Sequence, residues 1–131
     1  MRHGDFDTGC CIYPVTPLLR PSRIAEAMRR LVETRASFVL AAQRYRHPVQ
    51  RAFKLDGGRV DLLMPDFCQI RTQDIPAAYH DAGQFYAFRT DALFGETAII
   101  GPATTAVVLG HDEAIDIDDE EDWREAELRL R

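Results

Sequence analysis

The fold is decided by one stretch near the N-terminus, CCIYPVTPLLRPSRIAEAMRRLVETRASFVLAA, residues 10–42. Cys10 to Tyr13 predicts a short buried strand, and Ser22 is a good N-cap for a helix. The apolar residues after Ser22 recur at helical spacing: Ile24, Ala27, Met28, Leu31 and Val32. Ser37 to Ala42 is an apolar run typical of a strand covered on both faces. Strand, helix and strand in this order predict a βαβ unit with parallel strands.

The rest of the chain adds a hairpin, further strands and a final helix. Asp56-Gly57-Gly58 lies between two short alternating runs, which indicates a hairpin. The other predicted elements are strands at about Tyr79–Phe88 and Thr104–Leu109 and a helix from about Glu120, capped by Asp118 or Asp119. The helix residues predicted to face the core are Trp123, Ala126 and Leu130. The predicted fold class is therefore α/β, with a mixed, mostly parallel sheet and flanking helices.

Composition excludes several classes of protein. A chain of 131 residues that is 46% hydrophobic can build the core of one domain. No apolar run approaches the roughly 18 residues of a membrane helix, and the first ten residues lack the apolar region of a secretory signal. We therefore expect a cytoplasmic protein that has no membrane partner. The net charge of −5 argues against a nucleic-acid partner, and three cysteines, two of them adjacent, suit neither a disulfide framework nor a zinc site.

The negative charge is concentrated in residues 112–122, which contain eight carboxylates and no Lys or Arg. Within them, Asp116 and Asp118 flank Ile117. On a strand, this spacing would place both carboxylates on one face, where Mg²⁺ could hold them together. The alternative is a solvated acidic turn followed by a helix N-terminus, where acidic residues favour the helix dipole. The spacing alone favours the acidic turn and leaves the metal site open.

A second candidate site lies in RTQDIPAAYHDAGQFYAF, residues 71–88. Its amides and carboxylates would suit a ligand with many hydroxyl groups, its aromatic rings would suit the C–H faces of a sugar, and Arg71 could pair with a ligand carboxylate. The alternative is a half-buried strand with Phe85 and Phe88 directed inward. Composition alone favours the strand.

Four motifs together resemble one family. They are YPVTPLLR (13–20), HPVQRAFKLDGGRV (47–60), RTQDIPAAYHDAGQFY (71–86) and IDIDDEEDW (115–123). In this order and spacing they resemble the acylneuraminate cytidylyltransferase family, most of all its pseudaminic acid branch, from about Asp5 to Arg131. The resemblance implies a Rossmann-like nucleotide-diphospho-sugar transferase fold and a homodimeric enzyme that uses CTP, Mg²⁺ and a nine-carbon sugar acid.

The resemblance also implies roles for individual residues. Asp116 and Asp118 match the acidic pair that holds Mg²⁺ on the CTP phosphates. The residues that match the nucleotide side of the cleft are Tyr13, Pro14, Thr16 and Pro17. The positions that match the sugar pocket, part of which makes the dimer contact, are Gln50, Arg71, Gln73, Tyr79, Asp81, Gln84 and Phe85.

One feature of the family has no match in this sequence. The family begins with a strand and a Gly-rich basic loop that holds the triphosphate. We therefore expect residues 1–131 to be the C-terminal part of a single cytidylyltransferase domain and to be inactive alone. The alternatives are a non-catalytic remnant that binds sugar or dimerises, and a cytidylyltransferase for neuraminate or a ketodeoxy sugar acid.

Overall fold

The computed structural model describes residues 6–95 and 98–131. It divides into two compact units. The sheet unit comprises the described residues up to Gln43 and from Asp81 onward, and the hairpin unit comprises Arg44–His80. The strands are β1 (Thr8–Ile12), β2 (Phe38–Arg44), β3 (Phe53–Asp56), β4 (Arg59–Leu62), β5 (Tyr79–Arg89) and β6 (Thr104–Leu109). The α-helices are α1 (Pro21–Thr34), α2 (Thr90–Gly95) and α3 (Glu120–Arg129).

The larger sheet has the strand order β1–β5–β2–β6. β1 runs antiparallel to β5, and β2 runs parallel to β6. Backbone hydrogen bonds join Arg89 to Ser37 at one end of β5 and Tyr45 to Ala78 at the other, so β5 is antiparallel to β2. Strands β1, β2 and β6 therefore share one direction, and the predicted mixed α/β sheet is confirmed, with one parallel and two antiparallel pairings. The βαβ unit is present, although β5 separates its two parallel strands.

The core of the sheet unit lies between α1 and the sheet. Ala27 and Leu31 of α1 are buried and belong to one cluster with Val39, Phe85 and Val107 from three strands. The five residues from Phe38 to Ala42 are all buried, which confirms the prediction of a strand covered on both faces. This packing fixes the strand ends from which the candidate site is built.

Two sequence predictions for α1 are wrong. Its N-cap is Arg20 and not Ser22, because Pro21 occupies the first helical position, where its fixed φ and missing N–H are tolerated. Val32 was predicted on the apolar stripe but is 70% exposed. The stripe ends at Leu31, since Val32 follows it by one residue and is rotated about 100° away around the helix axis.

The hairpin unit contains the two-stranded sheet β3–β4. Gly57 and Gly58 have φ angles of +54° and +82°, as the predicted two-residue turn requires. Phe53 lies opposite Leu62, and Leu55 lies opposite Val60, so these apolar residues share one face. Phe53, Leu55 and Val60 are more than half exposed.

Helix α3 begins as the sequence predicts, at Glu120. Its N-cap is Asp119, and Asp122 completes a capping box. Of the three residues predicted to face the core only Ala126 is buried, whereas Trp123 and Leu130 are 53% and 60% exposed. Among the described helices, none is long and apolar enough to cross a membrane.

Candidate functional site

The candidate site is centred on the segment between β6 and α3, residues 110–119. No strand is assigned to this segment, which agrees with the alternative of an acidic turn before the helix. The side chains of Asp116 and Asp118 are exposed on either side of Ile117, which packs against Leu18 and Ile115. The alternation expected from the spacing is therefore present without strand pairing.

Glu113 fixes the start of the segment. Its carboxylate is almost fully buried, at 4% exposure, and accepts two hydrogen bonds from Arg23 at 2.9 and 2.7 Å. It also accepts the Gly110 N–H at 2.8 Å. These hydrogen bonds lower the pKa of Glu113 to about 2. Arg23 makes the largest contribution, and the Gly110 N–H makes the next largest.

Side chains from other elements hold carbonyl groups of the segment. Gln43 of β2 donates to the Gly110 oxygen at 2.9 Å. Arg129 of α3 donates to the Ala114 oxygen at 3.0 Å. The segment that carries Asp116 is thus anchored to the sheet and to α3 by side-chain hydrogen bonds.

Asp116 lies against Gly83 of β5. A Cβ atom placed on Gly83 would be 3.2 Å from the carboxyl carbon and from both carboxylate oxygens of Asp116. Gly83 has a φ of +62°, a conformation that glycine adopts at little cost. Its N–H donates at 2.9 Å to Oδ1 of Asp81. Two aspartates that are distant in sequence, Asp81 and Asp116, therefore both approach Gly83 of β5.

A chain of hydroxyl groups runs from Asp81 toward solvent. Oδ2 of Asp81 accepts the Tyr86 hydroxyl, whose oxygen accepts the Tyr13 hydroxyl at 3.4 Å. Since an ionised carboxylate can only accept, both hydroxyls point toward Asp81, and the oxygen of the partly exposed Tyr13 is left as an acceptor. Burial is the main cause that raises the pKa of Tyr86, and the hydrogen bond to Asp81 is the second. The Tyr86 hydroxyl therefore stays a neutral donor.

The other predicted residues of the sheet unit are buried or line a cavity. Phe85 is completely buried in the core, and Gln84 is buried with its amide directed at backbone carbonyls. Pro14, Thr16 and Pro17 line a cavity of about 410 Å³, whose opposite wall includes Ile117 and Trp123. Tyr13, Asp81 and Asp116 are the predicted residues that the fold brings together.

Four predicted sugar-pocket residues belong to the hairpin unit. Gln50 donates to the Pro76 oxygen at 3.0 Å, and Arg71 pairs with Asp74 at 2.7 Å. Gln73 and Tyr79 are exposed. Arg71 is thus available to a ligand carboxylate only if it exchanges its partner.

Among the residues that hold the site, Gln43, Tyr86 and Glu113 were not predicted from the sequence. Tyr86 falls within the quoted stretch 71–88, where its aromatic ring was noted but its hydroxyl was not assigned. Gln43 and Glu113 offer no local signal, because their partners are distant in the chain.

The oxygen donors at the site fit Mg²⁺ in one particular way. Mg²⁺ is usually held by one or two carboxylates together with waters and substrate phosphates. Asp116 and Asp118 supply two exposed carboxylates. Within residues 6–95 and 98–131 no three His, Cys, Asp or Glu side chains are grouped to hold a metal ion. The donors therefore suit a metal shared with a bound phosphate, and the Mg²⁺ site stays a prediction.

Comparison with known proteins identifies relatives of the chain. No protein-family model matches it. It is 32% identical over 124 residues to a pseudaminic acid cytidylyltransferase of Campylobacter jejuni serotype O:23/36, in an alignment that covers 94% of this chain and 53% of that protein. The same values hold for the protein of that name from C. jejuni serotype O:2. The chain is homologous to pseudaminic acid cytidylyltransferases.

A third relative combines that name with a second activity. The chain is 28% identical over 114 residues to the Helicobacter pylori protein named pseudaminic acid cytidylyltransferase and UDP-2,4-diacetamido-2,4,6-trideoxy-beta-L-altropyranose hydrolase. The alignment covers 86% of this chain and 22% of that protein. The resemblance predicted from the four motifs is thus confirmed, and the chain spans about half the length of the C. jejuni relatives.

Proposed function

We propose that the chain forms part of a cytidylyltransferase that transfers CMP from CTP to a nine-carbon sugar acid of the pseudaminic type and releases pyrophosphate. The observation that carries this function is the similarity along 94% of the chain to two proteins of that name. The meeting of Tyr13, Asp81 and Asp116 at Gly83 supports it, because motifs far apart in sequence converge there. A cytoplasmic location is part of the same proposal.

Asp116 and Asp118 are the residues that would hold Mg²⁺ on the CTP phosphates. When bound, Mg²⁺ neutralises negative charge on the phosphate oxygens. In the transfer, a bond forms between the sugar hydroxyl oxygen and the α-phosphorus as the bond to pyrophosphate breaks. The acceptor oxygen of Tyr13 would orient a ligand hydroxyl, since the Tyr86–Asp81 array turns the Tyr13 proton away from the ligand. The nucleotide side would include Pro14, Thr16 and Pro17.

Residues proposed to bind the sugar are found in each unit taken by itself. Arg71 would bind the sugar carboxylate in exchange for Asp74, and this exchange costs little because an exposed ion pair contributes little. Asp81 would act from the sheet unit. The other residues proposed to bind the sugar are Gln50, Gln73, Tyr79, Gln84 and Phe85. Gln84 and Phe85 are buried, so they would act mainly by shaping the pocket wall.

We also propose that the hairpin unit makes a homodimer. Its exposed apolar face is formed by Phe53, Leu55 and Val60, and a two-stranded hairpin is marginally stable unless such a face is covered. The same face supports a second candidate function, a dimerising module without catalytic activity.

The test uses the 131-residue chain and a chimera in which it replaces the aligned 53% of the C. jejuni relative. With CTP, Mg²⁺ and pseudaminic acid, the chimera should form the CMP-sugar, and the chain alone should not. Asp116→Asn in the chimera should lower kcat/KM by roughly 10²-fold, about 2.7 kcal/mol. The control is Glu121→Gln, an exposed carboxylate of the same acidic run, which should keep near-normal activity. A folded chimera without activity would favour the dimerising module.

A further inference from the structure

Gly83 is suited to its position for two independent reasons. Its φ of +62° is one that residues with a Cβ rarely adopt. In addition, the space that a Cβ would fill is bounded by the Asp116 carboxylate, with all three carboxyl atoms at 3.2 Å from the Cβ position. The second feature distinguishes Gly83 from Gly57, which has a φ of +54° and nothing within 4 Å of its Cβ position.

Gln84 holds the backbone next to Asp116. Its side chain is buried, and Nε2 donates at 3.1 Å to the oxygen of Ile115, the residue before Asp116. The same nitrogen lies 3.1 Å from the oxygen of Ala82, so it bridges β5 and the 110–119 segment. The backbone oxygen of Gln84 accepts the Tyr13 N–H at 2.9 Å, which ties Gln84 to the residue that follows β1.

We propose that Gly83 and Gln84 are positioning residues for Asp116. Gly83 leaves the space in which the carboxylate lies, and Gln84 holds the carbonyl group that precedes it. This role in placing Asp116 does not depend on a bound metal. Only its use as a metal ligand rests on the proposed function, and the two can therefore fail separately.

The first experiment measures coupling between Gly83 and Asp116 by urea unfolding of the 131-residue chain. Gly83→Ala is made in the natural background and in Asp116→Ala, which removes the carboxylate that the new methyl group would meet. Gly83→Ala should raise the unfolding equilibrium constant by a larger factor in the natural background than in Asp116→Ala. The ratio of these two factors should be roughly five or more. Gly57→Ala, the matched control for backbone strain, should cost the same in both backgrounds. Equal costs of Gly83→Ala in both backgrounds would overturn the role given to Gly83.

The role of Gln84 is tested by Gln84→Met, which keeps the length of the side chain and removes the donor. In native-state hydrogen exchange, the amides of residues 116–118 should exchange on the order of tenfold faster, while those of the β2–β6 ladder keep their rates. Uniform acceleration, or none, would overturn the role given to Gln84. This experiment also decides the proposal if Gly83→Ala does not fold in either background.

A third experiment separates positioning from metal binding. Mn²⁺ serves as a paramagnetic probe in place of Mg²⁺, and broadening of the amide resonances of residues 115–119 is followed during titration. The Mn²⁺ concentration for half-broadening should rise several-fold in Gly83→Ala and in Gln84→Met, and stay unchanged in Gly57→Ala. If the natural chain and the three variants reach half-broadening at the same Mn²⁺ concentration, the proposed positioning role is overturned. Absence of broadening in the natural chain, with the coupling and exchange effects present, would leave the positioning established and remove the metal role from the proposed function.

Discussion

Glu113 shows how one buried charge holds the segment that carries the acidic pair. Arg23 binds it through two nitrogen atoms, and Arg20 adds a longer contact at 3.3 Å. A buried carboxylate is stable only when paired and hydrogen-bonded, and removing its charge leaves the guanidinium of Arg23 without that partner. The pH dependence of stability should reveal this arrangement.

Glu113→Gln should destabilise the chain at pH 7 by on the order of 2 kcal/mol. The folded pKa of about 2 lies below the ordinary 4.5, so the charge stabilises fully above about pH 4.5 and its contribution disappears as the pH falls toward 2. Urea unfolding from pH 7 to pH 2.5 should therefore show the gap between the two proteins narrowing below pH 4.5. Glu120→Gln, which breaks an exposed pair with Arg124, should cost under about 0.5 kcal/mol. A gap that is constant across this range would contradict the prediction.

At the scale of elements, the acidic run divides between two tasks. Asp119 accepts the N–H groups of Glu121 and Asp122 at 2.8 and 3.0 Å, and Asp122 accepts those of Asp118 and Asp119. These carboxylates cap α3, whereas Asp116 faces Gly83. The prediction that acidic residues cap the start of α3 is thus confirmed for the end of the run. The prediction that carboxylates bind a metal ion at the beginning of the run stays a prediction.

Asp119→Ala should lower the free energy of unfolding by about 1 kcal/mol, since two N–H groups at the start of α3 lose their acceptor. Thermal or urea unfolding measures this loss. Glu121→Ala is the matched control in the first turn, because its side chain makes no hydrogen bond within the described residues. A loss for Glu121→Ala as large as that for Asp119→Ala would mean that charge near the helix dipole, and not capping, stabilises α3.

Local sequence patterns predicted the positions of the helices and strands well. They did not predict which strands lie next to one another in the sheet. The glycine turn, the doubly buried β2 and the start of α3 all depend on residues close in sequence, and each appears where the pattern placed it. The insertion of β5 between β1 and β2 depends on long-range packing, for which periodicity carries no information. For the same reason, the acidic residues were recognised individually, but the approach of Asp81 and Asp116 to Gly83 of β5 was not predicted.

At the scale of the whole molecule, the hairpin unit presents more apolar surface than its own strands can cover. Leu55 is 69% exposed, and Leu63 and Met64 follow β4 with about half of their surfaces exposed. On the opposite face of the hairpin, Lys54 lies across from Asp61, a pair suited to solvent. An amphipathic hairpin of this kind is expected to pair with a second copy, because a symmetric contact buries the same apolar face on both chains.

Sedimentation velocity of the 131-residue chain should therefore show a concentration-dependent dimer. A stable interface buries roughly 800 Å² per partner, whereas this apolar face consists of a few side chains on two short strands, so we expect dissociation in the micromolar range or weaker. Leu55→Lys should abolish the dimer by placing like charges opposite one another in the contact, and Lys54→Ala, on the other face, should preserve it. Far-UV circular dichroism checks that both variants keep the fold. A chain that stays monomeric at several hundred micromolar would overturn the proposed dimer. A dimer that survives Leu55→Lys and is lost in Lys54→Ala would assign the contact to another surface.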